Sequence, residues 1–322
     1  MNRRASGQGT LVGVSTGSLA RYPNGGDPVV IAGYLSDIEA DAVEVLFYRG
    51  FHDDLERAAR AFRSCGRPIR VVHAEKNLGT AFGSPDPAQV ADGQRRFLEA
   101  LWLAQQVGAQ LVTLHLWDRP ESDRNLARNF DALEPLLPRV RDAGMAVGLE
   151  TIPCTVHNPV DNVRSALAHF GGLAAGCAVT LDLEFLGWHG CVERGVNGAF
   201  ADLAGNDTSL PYNPVAAARE EQSMVLDVHV RDYDGQPFTA EGRRRYLDPG
   251  EGQLDFPAIF GALVADGFRG PFMYEGSHTP VGGAGDVSAI NAVLANMRRW
   301  LADADRAAAP AAPGATLPTV TF

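Results

Sequence analysis

Short apolar runs rich in β-branched residues recur along this chain with amphipathic stretches between them, and that alternation restricts its possible folds more than any other feature. The runs are Leu11–Thr16, Ala42–Tyr48, Pro68–His73, Gln110–Leu116, Ala146–Thr151, Ala178–Glu184, Val225–Val230 and Pro271–Glu275. Near-continuous hydrophobicity over so few residues predicts strands buried on both faces, as in a parallel sheet. The stretches between them carry helical periodicity. Leu126, Phe130, Leu133, Leu137 and Val140 recur at three- and four-residue steps, and Val287, Ile290, Leu294, Met297 and Leu301 do the same near the end. Such stripes pack one face of a helix against a sheet. Pro28–Glu39, His52–Arg63 and Pro87–Val107 supply the early helices. Gly108, Gly144 and Gly267 each stand between a helix and the next strand, where a left-handed C-cap is expected.

Strand followed by helix throughout the chain predicts a single closed (β/α)8 TIM barrel, an α/β fold. A barrel takes about 250 residues, more with insertions, so the 322 residues hold one barrel and its tails. An open doubly wound sheet is the alternative, but the turn after the first run, Ser15 to Ala20, lacks the Gly-rich pattern that such a sheet often carries there. The expected organisation is a flexible N-terminus over residues 1–10, the barrel over 11–306, and a disordered Ala- and Pro-rich tail over 307–322. An insertion over about 191–224, after the sixth run, is of a size that shapes a site.

The formal net charge of −11 argues against a nucleic-acid partner, which calls for a basic face. Cys65, Cys154, Cys177 and Cys191 form no CxxC pair and read as reduced thiols. Met1 to Thr10 has no apolar segment of a signal peptide, and no run reaches the roughly 18 apolar residues of a membrane span. The expectation is a soluble cytoplasmic protein with a small-molecule partner and no membrane or nucleic acid.

Active sites of such barrels form at the C-terminal ends of the strands. Near those ends stand His73, His115, Glu150, Asp182, His229 and Glu275, on consecutive strands from the third to the eighth. Glu150, Asp182 and Glu275 repel one another in a dry site, and a cation resolves the conflict. Three carboxylates with the imidazole of His229 suit one divalent ion such as Mn²⁺, Mg²⁺ or Co²⁺; Zn²⁺ fits better if His73 and His115 also bind.

Glu150 in Val147–Thr151, Asp182 in Val179–Leu183, His229 in Val228–Asp232 and Glu275 in Phe272–Gly276 together resemble the xylose isomerase-like barrel superfamily, the sugar phosphate isomerase/epimerase group that also includes abasic-site endonucleases. Asp248–Phe256 is similar to that group's Gly-rich loop between strands seven and eight. The resemblance spans about residues 11 to 302. It implies that Glu150, Asp182, His229 and Glu275 hold the metal. In the epimerase branch it also makes Glu150 and Glu275 the acid and base. The implied reaction is isomerisation or epimerisation of a sugar, sugar phosphate or cyclitol through an enediolate, with lyase-type dehydration of a keto-polyol as the alternative. A homodimer is the assembly that the resemblance suggests. Phe185 stands where many epimerases of the group have a His, and Arg231 lies only two residues beyond His229. The endonuclease branch has an Asp-x-His pair where this chain has Asp232-Tyr233-Asp234, which speaks against a nuclease.

Further rim candidates are substrate-contacting residues, each with a plainer reading beside it. His73 and Lys76 line the pocket, or Glu75 and Lys76 are a solvated pair. His115 and Trp117 bring an imidazole and a stacking ring to the rim, or Trp117 packs in the core. His189 replaces the missing imidazole. Arg231 binds a phosphate or carboxylate, or pairs with Asp232. His278 closes the rim. Glu44 supports other rim groups from the second strand. Arg243 to Arg245 clamp an anion or form a solvated face.

Overall fold

The computed structural model describes residues 10–20, 26–118, 122, 124–153, 159–187, 224–236, 239–240, 245–265, 267–276 and 286–308. Eight parallel strands close into a barrel in chain order: β1 (Leu11–Ser15), β2 (Ala42–Leu46), β3 (Ile69–His73), β4 (Leu111–Leu114), β5 (Ala146–Glu150), β6 (Cys177–Asp182), β7 (Val225–Val230) and β8 (Pro271–Tyr274), with β8 returning to β1. The expected (β/α)8 barrel is therefore the fold. Most strands stop one or two residues short of the apolar runs. There the backbone leaves the ladder for the rim loops, although single bonds carry on, as from Phe47 N to His73 O at 2.8 Å and from Glu275 N to Val230 O at 3.3 Å.

The helices outside the barrel begin and end where local chemistry dictates. Helix α1 (Pro28–Leu35) has Asp27 as its cap, α2 (Leu55–Arg63) has Asp54, and α4 (Pro87–Val107) has Asp86, each carboxylate accepting a backbone N–H of the first turn. The short α3 (Leu78–Phe82) precedes α4. The stripe from Leu126 to Val140 is not one helix: Pro135 and Pro138 divide it into α5 (Leu126–Leu133), a 3-10 turn and α6 (Leu137–Asp142). Helices α7 (Pro159–Phe170), α8 (Phe256–Ala265) and α9 (Val287–Ala308) follow. Gly108, Gly144 and Gly267 adopt φ of 77°, 70° and 97°, as expected of their cap positions. Among the described residues, no helix is long and apolar enough to cross a membrane. Cys65 and Cys177 are free and buried, and burial pushes the Cys177 thiol up to about 12, so both sit in the core as unreactive thiols.

Alternation along the strands sorts the barrel interior into layers. Leu11, Ala42, Val71, Leu111, Ala146, Ala178 and Met273 pack together as an apolar floor. Two residues on, Glu44, Thr113, Thr180 and Asp227 are buried, with the Thr113 and Thr180 hydroxyls 3.1 Å apart. His73 stands at that same step above Val71, and another step along reaches Glu150, Asp182 and His229. The interior thus turns from hydrocarbon to ionisable over two side-chain steps. Gly148 keeps the middle layer open: a Cβ there would lie 2.3 Å from Thr180 Oγ1. Gly148→Ala is expected to destabilise the barrel by about 1–3 kcal/mol through overpacking. Urea denaturation checks this, and a loss under about 0.5 kcal/mol would show that the layer has room to give.

Candidate metal centre and acid–base site

Glu150, Asp182, His229 and Glu275 bring one potential ligand atom each to within 4.8 Å of one another, all of them buried. His229 Nδ1 lies 3.2 Å from Glu150 Oε1, 3.9 Å from Asp182 Oδ2 and 3.8 Å from Glu275 Oε2. Glu150, Asp182 and His229 end or nearly end their strands, while Glu275 follows β8 directly, so the backbone fixes all four. The other nitrogen of His229, Nε2, faces Glu44 Oε2 at 2.9 Å and Asp227 Oδ2 at 3.3 Å. Those carboxylates orient the ring, and Nδ1 is the nitrogen turned to the cluster, the orientation that carboxylate–histidine–metal arrangements use.

Glu150 serves two neighbourhoods. Its Oε1 faces His229, while its Oε2 lies 3.0 Å from His73 Nε2 and 2.7 Å from His115 Nε2. His73 Nδ1 donates to the Ala74 carbonyl at 2.7 Å, so its Nε2 is turned toward Glu150. His73, His115 and Glu150 form a second group able to hold an ion. Burial works against an ionised Glu150, but His115 and His229 outweigh it and hold the carboxyl well below its usual range. Burial also opposes a charged His115, yet Glu150 and Asp118 raise it to about 9. Asp182 goes the other way: burial dominates and lifts it to about 7.

The residues fit a divalent cation. The donor set is three carboxylates and one imidazole, which suits a hard or borderline ion. Among the described residues, Glu275 Oε2 is buried with an ion pair to Arg231 but no hydrogen bond, and Asp182 is lifted toward neutrality by burial in a crowd of like charges. Both are what a site shaped around a positive charge shows without it.

Arg231 supplies part of that charge. Its Nη2 is paired with Asp182 Oδ2 and lies 3.1 Å from Glu275 Oε2, its Nε lies 2.9 Å from Glu184 Oε2, and the guanidinium sits 4.9 Å over the Phe185 ring. Lys76 Nζ reaches Glu275 Oε1 at 3.4 Å from the β3 loop. Burial raises the Glu275 carboxyl, but Arg231, Lys76 and His229 together hold it far below its ordinary value.

The family model for the xylose isomerase-like TIM barrel matches residues 33–303. The chain belongs to that family. Solved structures with the same fold include a xylose isomerase domain protein from Planctomyces limnophilus (18% identity, 93% of this chain and 98% of that one, TM-score 0.61). A D-allulose 3-epimerase from Methylomonas sp., solved with D-allulose, matches at 14% identity over 91% of this chain and 98% of that one, TM-score 0.64. A 3-keto-D-glucoside 4-epimerase from E. coli matches at 16% identity over 90% of this chain and 99% of that one, TM-score 0.59. At these identities the likeness concerns the fold. No curated protein matches the sequence.

Within this family barrel, the structure brings together His73, His115, Glu150, Asp182, His229, Arg231 and Glu275. Trp117 is placed differently. It is fully buried, its indole N–H donates to the Ile152 carbonyl at 3.3 Å, and Gly79 sits against its backbone, so it packs the wall rather than offering a face to the mouth. Arg231 is engaged by Asp182, Glu184 and Glu275 instead of Asp232. His189, His278, Arg243, Arg244 and residues 191–223 lie outside the described residues. Asp227 and Glu184 were missed by the sequence reading; Asp227 stands two residues before His229 on β7, where strand alternation aims it inward, while Glu184 lies past the end of β6 in a helical segment.

Asp232 has its own task. Its carboxylate accepts the backbone N–H groups of Tyr233 (2.7 Å), Gly250 (2.9 Å), Gly252 (2.8 Å) and Leu254 (3.1 Å), folding the Gly-rich segment back beside the site. Asp232→Ala orphans these donors and is expected to cost at least about 2 kcal/mol. It should also raise hydrogen exchange over residues 248–254; exchange and stability both equal to wild type would show that water or another group replaces the carboxylate.

Proposed function

We propose that this chain is a metal-dependent isomerase or epimerase of an uncharged sugar or cyclitol, working by proton transfer through an enediolate with Glu150 and Glu275 as the acid–base pair. The observation that carries the reading is the division of labour within the two glutamates. Each turns one oxygen toward the four-ligand cluster and the other toward separate partners, His73 and His115 for Glu150 and Lys76 for Glu275. Two carboxylates from β5 and the end of β8 can flank a substrate carbon. One removes the proton next to a carbonyl, and the other returns it on the opposite face. A bound Mn²⁺, Co²⁺, Mg²⁺ or Zn²⁺, held by Glu150, Asp182, His229 and Glu275, supplies electrostatic stabilisation for the enediolate.

The charge balance favours an uncharged substrate. Arg231 is committed to three carboxylates, and Arg245 is paired with Asp234 at 2.7 Å, so among the described residues neither is left for a phosphate. The family membership and the fold shared with a D-allulose 3-epimerase and a 3-keto-D-glucoside 4-epimerase support the same class. A dehydration of a keto-polyol shares the first proton transfer, and His115, 2.7 Å from Glu150, is a donor at hand for a departing hydroxyl. The mass of the product separates the two.

The test is a panel of free ketohexoses and inososes incubated in D₂O with Mn²⁺-loaded protein. The expected product has the substrate's mass plus one exchanged deuterium, and its formation stops on chelation. Glu150→Gln and Glu275→Gln are each expected to lose about 100- to 10,000-fold in rate while still folding. A product lighter by one water would turn the reading to the lyase. No product from the panel would overturn it.

A further inference from the structure

The segment after β3 is held more firmly than a solvated loop requires. Glu75 Oε2 accepts from Arg96 at 2.7 Å and lies 3.2 Å from His52 Nε2, while the other His52 nitrogen pairs with Glu99 on α4. The carbonyl of Gly79 accepts from Asn129 Nδ2 at 2.9 Å, and a Cβ on Gly79 would meet the Trp117 backbone at 2.7 Å. Helices α4 and α5, the Trp117 wall and the turn after β2 therefore clamp residues 75–79 on several sides. From this clamped segment the side chain of Lys76 reaches toward β8. It is 40% exposed, yet its ammonium lies 3.4 Å from a carboxylate that is 3% exposed.

The two oxygens of Glu275 divide accordingly. Oε2 lies 3.8 Å from His229 Nδ1 and 3.1 Å from Arg231 Nη2, on the side of the ligand cluster. Oε1 faces Lys76 Nζ, and a Cβ built on Gly17 would lie 3.7 Å from it. Oε1 is thus the oxygen turned away from the ligand cluster, and an ammonium stands beside it.

We infer that Lys76 is a further catalytic residue of this site, an oxyanion-stabilising donor paired with Glu275. The inference rests on the proton-transfer reading above. As Glu275 Oε1 takes the proton from carbon, the C–H electron pair moves into the carbon–carbon bond and the carbonyl pair moves onto oxygen. Lys76 donates a hydrogen bond to that oxygen. When Glu150 returns a proton on the opposite face, one relayed to it from His115 at 2.7 Å, the pair flows back and the carbonyl re-forms; Glu275 then releases its proton to solvent and His115 regains one from solvent, so no other reactant is consumed. A donor fixed before the reaction begins needs little reorganisation during it, and removal of one such donor costs about 100- to 1,000-fold in turnover. The substrate class this pairing serves is a neutral α-hydroxyketone, whose negative charge exists only in the enediolate.

The experiment uses full-length, Mn²⁺-loaded wild type, Lys76→Met and Lys76→Arg. Glycolohydroxamate, an anionic enediolate mimic, is the calorimetric probe, and initial rates are taken on the ketohexose that the wild type converts. Lys76→Met is expected to keep its metal content and melting temperature, bind the hydroxamate about 100-fold more weakly, and lose about 100-fold in kcat with KM within about threefold of wild type. Lys76→Arg should recover part of both losses. If Lys76→Met binds the hydroxamate and turns over within about threefold of wild type, Lys76 is a surface ion pair and the inference falls while the proton-transfer reading stands. If the wild type neither converts a ketohexose nor binds the hydroxamate, both fall together.

Discussion

Glu44, Glu150, Asp182, Glu184, Asp227 and Glu275 are all buried around one end of one barrel, and the rest of the site follows from that crowding. A buried, uncompensated carboxylate is among the most expensive groups a protein can carry. The chain meets the cost by interleaving a guanidinium and imidazoles among the carboxylates rather than diluting them. Arg231 spans Asp182, Glu184 and Glu275; His229 lies between Glu44 and Asp227 on one side and Glu150 on the other; His73 and His115 share the second oxygen of Glu150. Where Asp182, Glu275, Glu150 and His229 converge, one potential ligand atom of each lies within 4.8 Å of the others, and that is where a divalent ion fits.

The barrel makes the crowding affordable by position. Below the charged layer lie Thr113 and Thr180, and below them the floor of Leu11, Val71, Leu111 and Met273. The hydrocarbon that stabilises the fold and the ionisable groups that strain it occupy successive levels of the same strands. Solved proteins at 14–18% identity share this barrel over nearly their whole length, which is expected when fold resides in the alternation and chemistry resides in a handful of rim side chains.

Much of this was legible in the sequence because strand alternation and helix periodicity are local. The strands, the Gly caps and the convergence of Glu150, Asp182, His229 and Glu275 follow from patterns spanning a few residues. Asp227 obeys the same two-residue rule and Glu184 follows the end of β6, but both look like chance charges until His229 and Arg231 are seen beside them. The partners of Arg231 were not legible, since Asp182 and Glu275 are 49 and 44 positions away and only barrel closure makes them neighbours, leaving adjacent Asp232 to the Gly-rich loop. Trp117 misled for a related reason. Its position just after a strand suggests the mouth, but Gly79 lets α3 close over it. The break at Pro135 was visible in the sequence and was overridden by the apolar stripe.

The central claim is a single divalent ion held by Glu150, Asp182, His229 and Glu275. The measurement that tests it most directly is anomalous diffraction at the manganese edge from crystals of the protein grown with Mn²⁺. The account predicts one strong peak roughly 2.0–2.3 Å from Glu150 Oε1, Asp182 Oδ2, His229 Nδ1 and Glu275 Oε2, distances typical of manganese with oxygen and nitrogen donors. No peak there, or a peak confined to His73 and His115, would contradict it.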